Sequence, residues 1–403
     1  MGLLRGWILR CIECGEELDD RSAILCSACG GLLEFVLEDR FPSKETLFGV
    51  MGPGIWRFGA ALPMDKASVV TLEEGQTPLV PCANMTGLGE VGLYVKNEGQ
   101  NPTGSFKDRG ITVAVSNARS IRARTLVCAS TGNTSASASA YAARAGMKSV
   151  VLVPSGKIAT GKLLQARIYG STIVRVEGNF DRSMKMVLGL VSEKKEFYLV
   201  NSANPYRIEG QKTAAYEVYW QLKAVPDYVV LPVGNAGNIS AYWKGFEELF
   251  RWGIVKKKPK MVGVQASGAA PMAEAFLNGR ERIEPWDSPE TVASAIRIGN
   301  PVSWRKALKA VKESEGLLLE VTDAEILAAQ RELAAREGIF VEPASAAPLA
   351  AVRKLKGKIE RGARVVCVAT GNGLKDPSVV DINAEGMPLV SDAGELMNLL
   401  RRG

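Results

Sequence analysis

From residue 107 onward the chain alternates between short, continuously apolar runs and longer stretches with helical spacing. The runs at 125–129, 149–153, 172–176, 197–200, 227–233, 261–265, 317–321 and 364–369 have the length and the β-branched content of strands buried on both faces. Between them, 134–145, 158–169, 208–223, 238–250, 323–336 and 344–355 read as helices. This alternation predicts an α/β fold of doubly wound parallel sheets, with ligands beyond the carboxyl ends of the strands. Residues 46–100 form a mixed entry segment, broken at Gly52-Pro53-Gly54 and containing one strand at 91–96. Residues 267–302, with Pro271, Pro285, Pro289 and Pro301, read as a lid or a long surface connection.

Residues 1–45 form a separate unit. Cys11-x-x-Cys14 and Cys26-x-x-Cys29 stand eleven residues apart, and each pair is followed by glycine. Two such turns joined by a hairpin bring four thiolates to one point, the donor set of a zinc-ribbon-like site with a structural zinc. Zinc ribbons also bind nucleic acid. Here Glu13, Glu16, Glu17, Asp19, Asp20, Glu34, Glu38 and Asp39 oppose contact with a phosphate backbone, so a structural or docking role away from the chemistry is expected.

Composition narrows the chemistry. The 403 residues contain no histidine, which excludes Ser-His-Asp and Cys-His machinery and histidine metal ligands. Proton transfer is left to lysine, carboxylate, hydroxyl or a cofactor. The formal charge of +7 fits an anionic substrate or cofactor as well as it fits nucleic acid. Cys128 and Cys367 sit in apolar runs as small hydrophobes, and an odd, mostly buried cysteine set suits a reducing compartment. The first residues are too short and too broken by arginine for a signal peptide, and no run reaches membrane-spanning length, so the cytoplasm is expected.

Four stretches carry candidate chemistry. Asn101-Pro102-Thr103-Gly104-Ser105-Phe106-Lys107-Asp108-Arg109-Gly110 places Lys107 at a helix start, where dipole and desolvation favour loss of its proton. Ser130-Thr131-Gly132-Asn133-Thr134 follows a strand and opens a helix, as either an N-capping turn or an anion cradle. Gly234-Asn235-Ala236-Gly237-Asn238 does the same with residues small enough for backbone N–H groups to converge on a phosphate. Thr370-Gly371-Asn372-Gly373-Leu374-Lys375-Asp376 puts a hydroxyl at a last strand end. Together they match what pyridoxal 5'-phosphate needs: a lysine for the aldehyde, an amide for the ring hydroxyl, a phosphate cup and a hydroxyl for the ring nitrogen.

The stretches EGQTPL, NPTGSFKDRG, ASTGNTSASASAYAARAG, NSANPYRIEGQKTAAYE, LPVGNAGNI, EPASAA and ATGNGLKD resemble the fold-type-II, tryptophan-synthase-β-like pyridoxal phosphate enzymes, and within them the threonine synthases, from about residue 74 to 376. The resemblance implies a catalytic core over 46–403 with a smaller subdomain at about 107–203 and the site between the two. It implies Lys107 as the Schiff-base lysine, Asn133 on the ring hydroxyl, Gly234, Asn235, Ala236, Gly237 and Asn238 as the phosphate cup, and Thr370 at the ring nitrogen. Ser130, Thr131 and Thr134 would hold the substrate carboxylate and neighbouring groups. Asn201, Ser202 and Arg207 would bind the substrate phosphate, Arg207 being otherwise a surface partner of Glu209. The implied reaction is elimination and hydration of O-phospho-L-homoserine to L-threonine and phosphate by a homodimeric carbon–oxygen lyase, without nucleic-acid or membrane partners. Cysteate synthases, O-phosphoserine sulfhydrylases and threonine or serine dehydratases are the alternatives on the same scaffold.

Overall fold

The computed structural model describes all residues except 1–3, 5, 40, 86, 89, 156–159, 179, 378–387, 389 and 402–403. Thirteen strands form three sheets among the described residues. β1 (Trp7–Cys11), β2 (Glu17–Leu18) and β3 (Leu33–Leu37) make an antiparallel sheet in the order β2-β1-β3. The strands β4 (Leu79–Pro81), β5 (Gly92–Asn97), β10 (Tyr228–Pro232), β11 (Lys260–Ala266), β12 (Leu317–Val321) and β13 (Arg364–Ala369) make a six-stranded sheet, β12-β11-β10-β13-β5-β4. It is parallel except for the edge strand β4. A smaller parallel sheet, β8-β7-β6-β9, is built from β6 (Thr125–Ala129), β7 (Lys148–Pro154), β8 (Thr172–Val176) and β9 (Phe197–Leu199).

The helices are α1 (Lys44–Phe48), α2 (Lys107–Ser120), α3 (Asn133–Ala145), α4 (Thr160–Ile168), α5 (Phe180–Glu193), α6 (Pro205–Leu222), α7 (Gly237–Arg251), α8 (Pro271–Leu277), α9 (Trp304–Glu313), α10 (Asp323–Glu337), α11 (Pro343–Lys354) and α12 (Ala393–Leu400). Strand runs such as 125–129, 172–176, 317–321 and 364–369 are observed at the expected bounds. The helix expected at 158–169 is seen as Thr160–Ile168, and its first two expected residues lie outside those described. The pattern did not single out α5 or α9. Residues 267–302 include α8 and a 3-10 turn at Ser294–Ile296.

The strand orders explain where ligands go. In the small sheet the chain runs outward β6-β7-β8 and returns to place β9 on the other side of β6. In the large sheet it runs outward β10-β11-β12 and returns to insert β13 between β10 and β5. Each reversal is a topological switch point, where neighbouring loops part and leave a crevice. The loops after β6 and β9 and those after β10 and β13 are the ones that the sequence marked for chemistry. Two helices bridge the sheets, and two glycines allow their close crossing. A Cβ on Gly210 would lie 1.8 Å from the Arg109 carbonyl oxygen, and one on Gly110 would lie 2.7 Å from that of Arg207. The starts of α2 and α6, with Lys107 and Arg207, are thereby brought together. The three-stranded sheet shares a core with the small sheet: Trp7, Leu9, Leu33 and Phe35 are buried with Ile111, Val127 and Tyr206.

Candidate active site

One cleft of about 780 Å3 gathers Lys107, Ser130, Thr131, Asn133, Thr134, Asn201, Ser202, Arg207, Gly234, Asn235, Ala236, Gly237, Asn238 and Thr370. All fourteen come from loops or helix starts at the switch points. A volume of this order suits a cofactor and a small substrate together.

Lys107 opens α2, and its loop is stitched to the one after β13. Phe106 N donates to Thr370 O at 3.0 Å and Asn372 N to Gly104 O at 2.9 Å. Beneath it, buried Asp108 accepts from Thr103 N and Thr103 Oγ1 at 2.7 Å and from Ser137 Oγ at 2.6 Å, fixing the loop against α3. The Lys107 residue is half-buried, and its amine sits 4.3 Å over the Phe106 ring, within the cleft wall. Burial lowers its pKa to about 7, Arg207 adds to the fall, and Glu342 opposes it. The amine is therefore largely available as a nucleophile or base near neutrality.

The cradle and the cup have a common feature. No side chain caps α3, whose N-cap is Gly132, or α7, whose N-cap is Ala236. By contrast Ser43, Asn204, Thr322 and Asp392 cap α1, α6, α10 and α12. These two helix starts thus keep N–H groups without side-chain acceptors, which favours an anion. Ala236 adopts a left-handed φ of 62°, an uncommon conformation for a residue with a Cβ that turns successive amides inward. Asn238 Nδ2 is buried without a hydrogen-bond partner. An orphaned donor, an uncapped helix start and a strained turn fit a phosphate group at residues 234–238. Across the cleft, Thr370 Oγ1 lies 2.8 Å from Ser345 Oγ. This pair of neutral hydroxyls, buried at a strand end, could meet a ring nitrogen.

At the phosphate corner the alternative reading of Arg207 as a surface partner of Glu209 does not hold. Arg207 is no surface residue: it is 2% exposed, and Glu209 pairs instead with Lys212 and Lys244. Its Nη1 donates to Val200 O at 3.3 Å, while its buried Nε has no partner among the described residues. Burial lowers its pKa to about 10. Asn201 makes paired bonds with Ala129, donating to its carbonyl at 2.8 Å and accepting from its N–H at 2.9 Å. It fastens the loops after β6 and β9, with a second amide hydrogen left over.

Sequence reasoning passed over Glu342. Its carboxylate is 4% exposed, lines the cleft and accepts from Asn133 Nδ2 at 3.0 and 3.1 Å. Burial raises its pKa, against the pull of Asn133, Lys375 and Lys107. A Cβ at Gly371 would come within 2.6 Å of it, so the glycine is what lets the carboxylate lie against the Thr370 loop. The EPASAA stretch was visible in the sequence, but nothing local distinguishes this glutamate from a solvated helix start.

The cysteines also meet. Sγ atoms of Cys11, Cys14, Cys26 and Cys29 lie within 4.8 Å of one another, with 3.5 Å between Cys11 and Cys29 and 3.7 Å between Cys14 and Cys26. All four are free thiols. Tetrahedral zinc with bonds of about 2.3 Å requires sulfur separations of about 3.8 Å, so the donor set and its spacing suit that ion. The unit also borders a cavity next to the cleft. Cys29 lines a second cavity that shares Asn201, Ser202 and Asn235 with the cleft. The reason is topological: the unit docks on the side of α6 that carries the cleft, a contact between segments about 170 residues apart that the sequence does not reveal.

Comparison with known proteins adds identity to geometry. Residues 70–371 match the family model described as "Pyridoxal-phosphate dependent enzyme". The chain is 51% identical over 401 residues to a threonine synthase of Methanocaldococcus jannaschii, covering 98% of each. It is 50% identical to one of Methanosarcina acetivorans, covering 96% of each. A third, from Mycobacterium tuberculosis, is 50% identical over 81% of this chain and 88% of its own. Among solved structures, maize serine racemase superposes with a TM-score of 0.64 at 20% identity, over 81% of this chain and 92% of that one. The processed form of threonine deaminase isoform 2 from Solanum lycopersicum also gives 0.64 at 20%, over 91% and 99%.

Proposed function

The chain belongs to the pyridoxal-phosphate-dependent enzymes, and on that premise we infer that it works as a threonine synthase, converting O-phospho-L-homoserine and water to L-threonine and phosphate. The observation that carries this reading beyond its scaffold is Arg207, a buried guanidinium with no carboxylate partner among the described residues, in the same cleft as Lys107. An anionic side chain on the substrate would answer such a cation, and leaving it unpaired is costly.

In this reading residues 46–403 are the catalytic body and about 107–203 its smaller lobe. Lys107 holds the cofactor. Asn133 bonds its ring oxygen, residues 234–238 receive its phosphate, and Thr370 with Ser345 presents an uncharged partner to its ring nitrogen. When bound, pyridoxal phosphate supplies the electrophilic carbon for the substrate amine and a sink for electrons released at Cα. The protein's share is positional and acid–base. Ser130, Thr131, Thr134 and the open start of α3 receive the substrate carboxylate. Arg207 and Ser202, with the spare hydrogen of Asn201, hold the phosphate that leaves from Cγ. Lys107, its pKa lowered by burial to about 7, takes and returns the protons at the substrate carbons, which suits a site without histidine.

Zinc in the four-cysteine site, homodimer assembly and a cytoplasmic location belong to the same proposal. Among the described residues no helix is long and apolar enough to cross a membrane. The deciding experiment offers the purified, cofactor-loaded protein three substrates: O-phospho-L-homoserine, O-phospho-L-serine with sulfide or sulfite, and L-threonine. Equimolar threonine and phosphate from the first, with slow or no turnover of the others, is the expected result. Faster conversion of phosphoserine would reassign the enzyme to a sulfhydrylase or cysteate synthase, and 2-oxobutanoate from threonine as the main product would make it a dehydratase.

A further inference from the structure

The four-cysteine unit has no task in the chemistry above, yet it does not dock on the back of the molecule. Residues 29–32 of its second turn form one wall of a cavity of about 550 Å3. The same cavity is lined by Asn201, Ser202 and Asn235, which also line the catalytic cleft. Across this cavity Glu13, between the first two cysteines, pairs with Arg305 of α9 at 3.1 Å.

A separate set of contacts leads to the same corner. Phe35 of β3 packs on Tyr206, with ring centroids 4.6 Å apart. Tyr206 precedes Arg207 in the first turn of α6. Its hydroxyl donates to Arg21 O at 3.3 Å, and Asn117 Nδ2 donates to the same oxygen at 2.8 Å. Lys306 reaches back to Leu33 O at 3.1 Å, and Lys244 donates to Phe35 O. The three-stranded sheet of the unit is thus bonded by lysines of α7 and α9 and packs on the turn that presents Arg207.

We propose that the four-cysteine unit is the outer wall of the subsite for the substrate's phosphate, and that Arg305, steered by Glu13, is a second cation of that subsite. The ligand class is a phosphate or phosphomonoester dianion. The inference rests on the reading of Arg207 as the phosphate receptor, and extends it from one residue to an element outside the catalytic body. Phe35 and Tyr206 act as positioning residues, because they touch Arg207's turn and not the ligand.

The test measures the affinity of the cofactor-loaded enzyme for inorganic phosphate by calorimetry. KM, kcat, metal content and the visible cofactor band are measured alongside. Arg305→Gln should weaken phosphate and raise KM for O-phospho-L-homoserine about two- to five-fold, a size proper to a half-exposed charge. Glu13→Gln removes the opposing anion and should tighten phosphate by a similar factor. Phe35→Leu, which keeps the core filled but loses the ring contact, should weaken it, with kcat and the visible band unchanged. Opposite signs for Glu13→Gln and Arg305→Gln would not arise from a purely structural role, and they decide the matter even if the Phe35 variant loses its metal. Unchanged phosphate affinity in both charge variants, while Arg207→Ala weakens it, overturns the proposal. If Arg207→Ala also leaves it unchanged, the phosphate reading beneath it falls.

Discussion

Two arginines, one on each of the crossing helices, are almost wholly enclosed, and the regions around them could hardly differ more. Arg109 is 1% exposed and saturated. Its Nε and Nη2 bond Glu98 at 2.6 and 2.8 Å, and its Nη1 and Nη2 each bond Glu217 at 2.7 Å, with Thr77 and Thr213 beside them. Lys96 completes the cluster at 2.6 Å from Glu217. Burial opposes ionisation of Glu217, but Arg109 and Lys96 bring its pKa down to about 2. Arg207 is as deeply placed, and among the described residues no carboxylate pairs with it and its Nε has no partner. Within the fold, a buried charge whose donors are all answered is structure, and one left unanswered waits for something from outside.

The largest effect that could break this contrast is on folding. Arg109→Ala leaves Glu98 buried without its cation and Glu217 with Lys96 alone, and should cost about 3–5 kcal/mol of stability. Denaturant unfolding of the cofactor-free protein measures it, and a loss under 1 kcal/mol would mean the cluster is not the anchor of α2.

Arg207→Ala should do the reverse. Free of ligand, the variant should melt no lower than the parent, and inorganic phosphate should raise the parent's melting temperature but not the variant's. With O-phospho-L-homoserine, losing a charge-assisted bond of about 1.5–3 kcal/mol should lower kcat/KM about 10- to 150-fold. Slow deamination of threonine should change little, and equal losses on both substrates would return Arg207 to a structural role.

A subtler consequence is carried by Lys107. In the cofactor-free protein its amine titrates near 7, so the rate of cofactor capture should climb about tenfold per pH unit below 7 and level off above it. Arg207 is one cause of the lowered pKa, so Arg207→Ala should move that midpoint upward, whereas Arg109→Gln should leave it in place. Stopped-flow capture rates across pH 5.5–9 in the three proteins check both signs.

The smallest effect belongs to Glu342, whose charge opposes that of Arg207 at the same amine. Glu342→Gln should shift the midpoint downward. It also loosens the bond to Asn133, and a neutral replacement for one hydrogen bond predicts about a two- to ten-fold loss of cofactor affinity. An unchanged midpoint would show that the carboxyl is already neutral in the free enzyme.

Much of this was legible in one dimension. The loops at 130–134 and 234–238 announce themselves because they combine small or polar residues with an apolar strand before and a helix after, a pattern set by neighbours in sequence. Lys107 and Thr370 are read in the same way. What the sequence hides is contact across long separations. Local pattern offers Arg207 a plausible partner in Glu209, and only the packing of α6 on α7 shows that Glu209 faces Lys212 and Lys244 instead. Glu342 is invisible for the same reason, since its role depends on Asn133, 209 residues away. The amphipathic run of α5 was overlooked, and the docking of the cysteine sheet beside the cleft is a contact that the sequence does not reveal.

The insertion of β13 between β10 and β5 has a bearing on how the molecule comes into being. The small sheet is drawn from one unbroken stretch, residues 125–199, and can pair as soon as that stretch leaves the ribosome. The large sheet lacks a central strand until residues 364–369 are made, and β5 waits through some 270 residues for its parallel neighbour. Closing so long a loop comes late on entropic grounds. The same strand delivers Thr370 and the backbone that stitches the Lys107 loop. The nascent chain therefore carries its reactive lysine in an unfinished setting until residues 364–369 are made, and gains a competent cleft only when that strand slots into the middle.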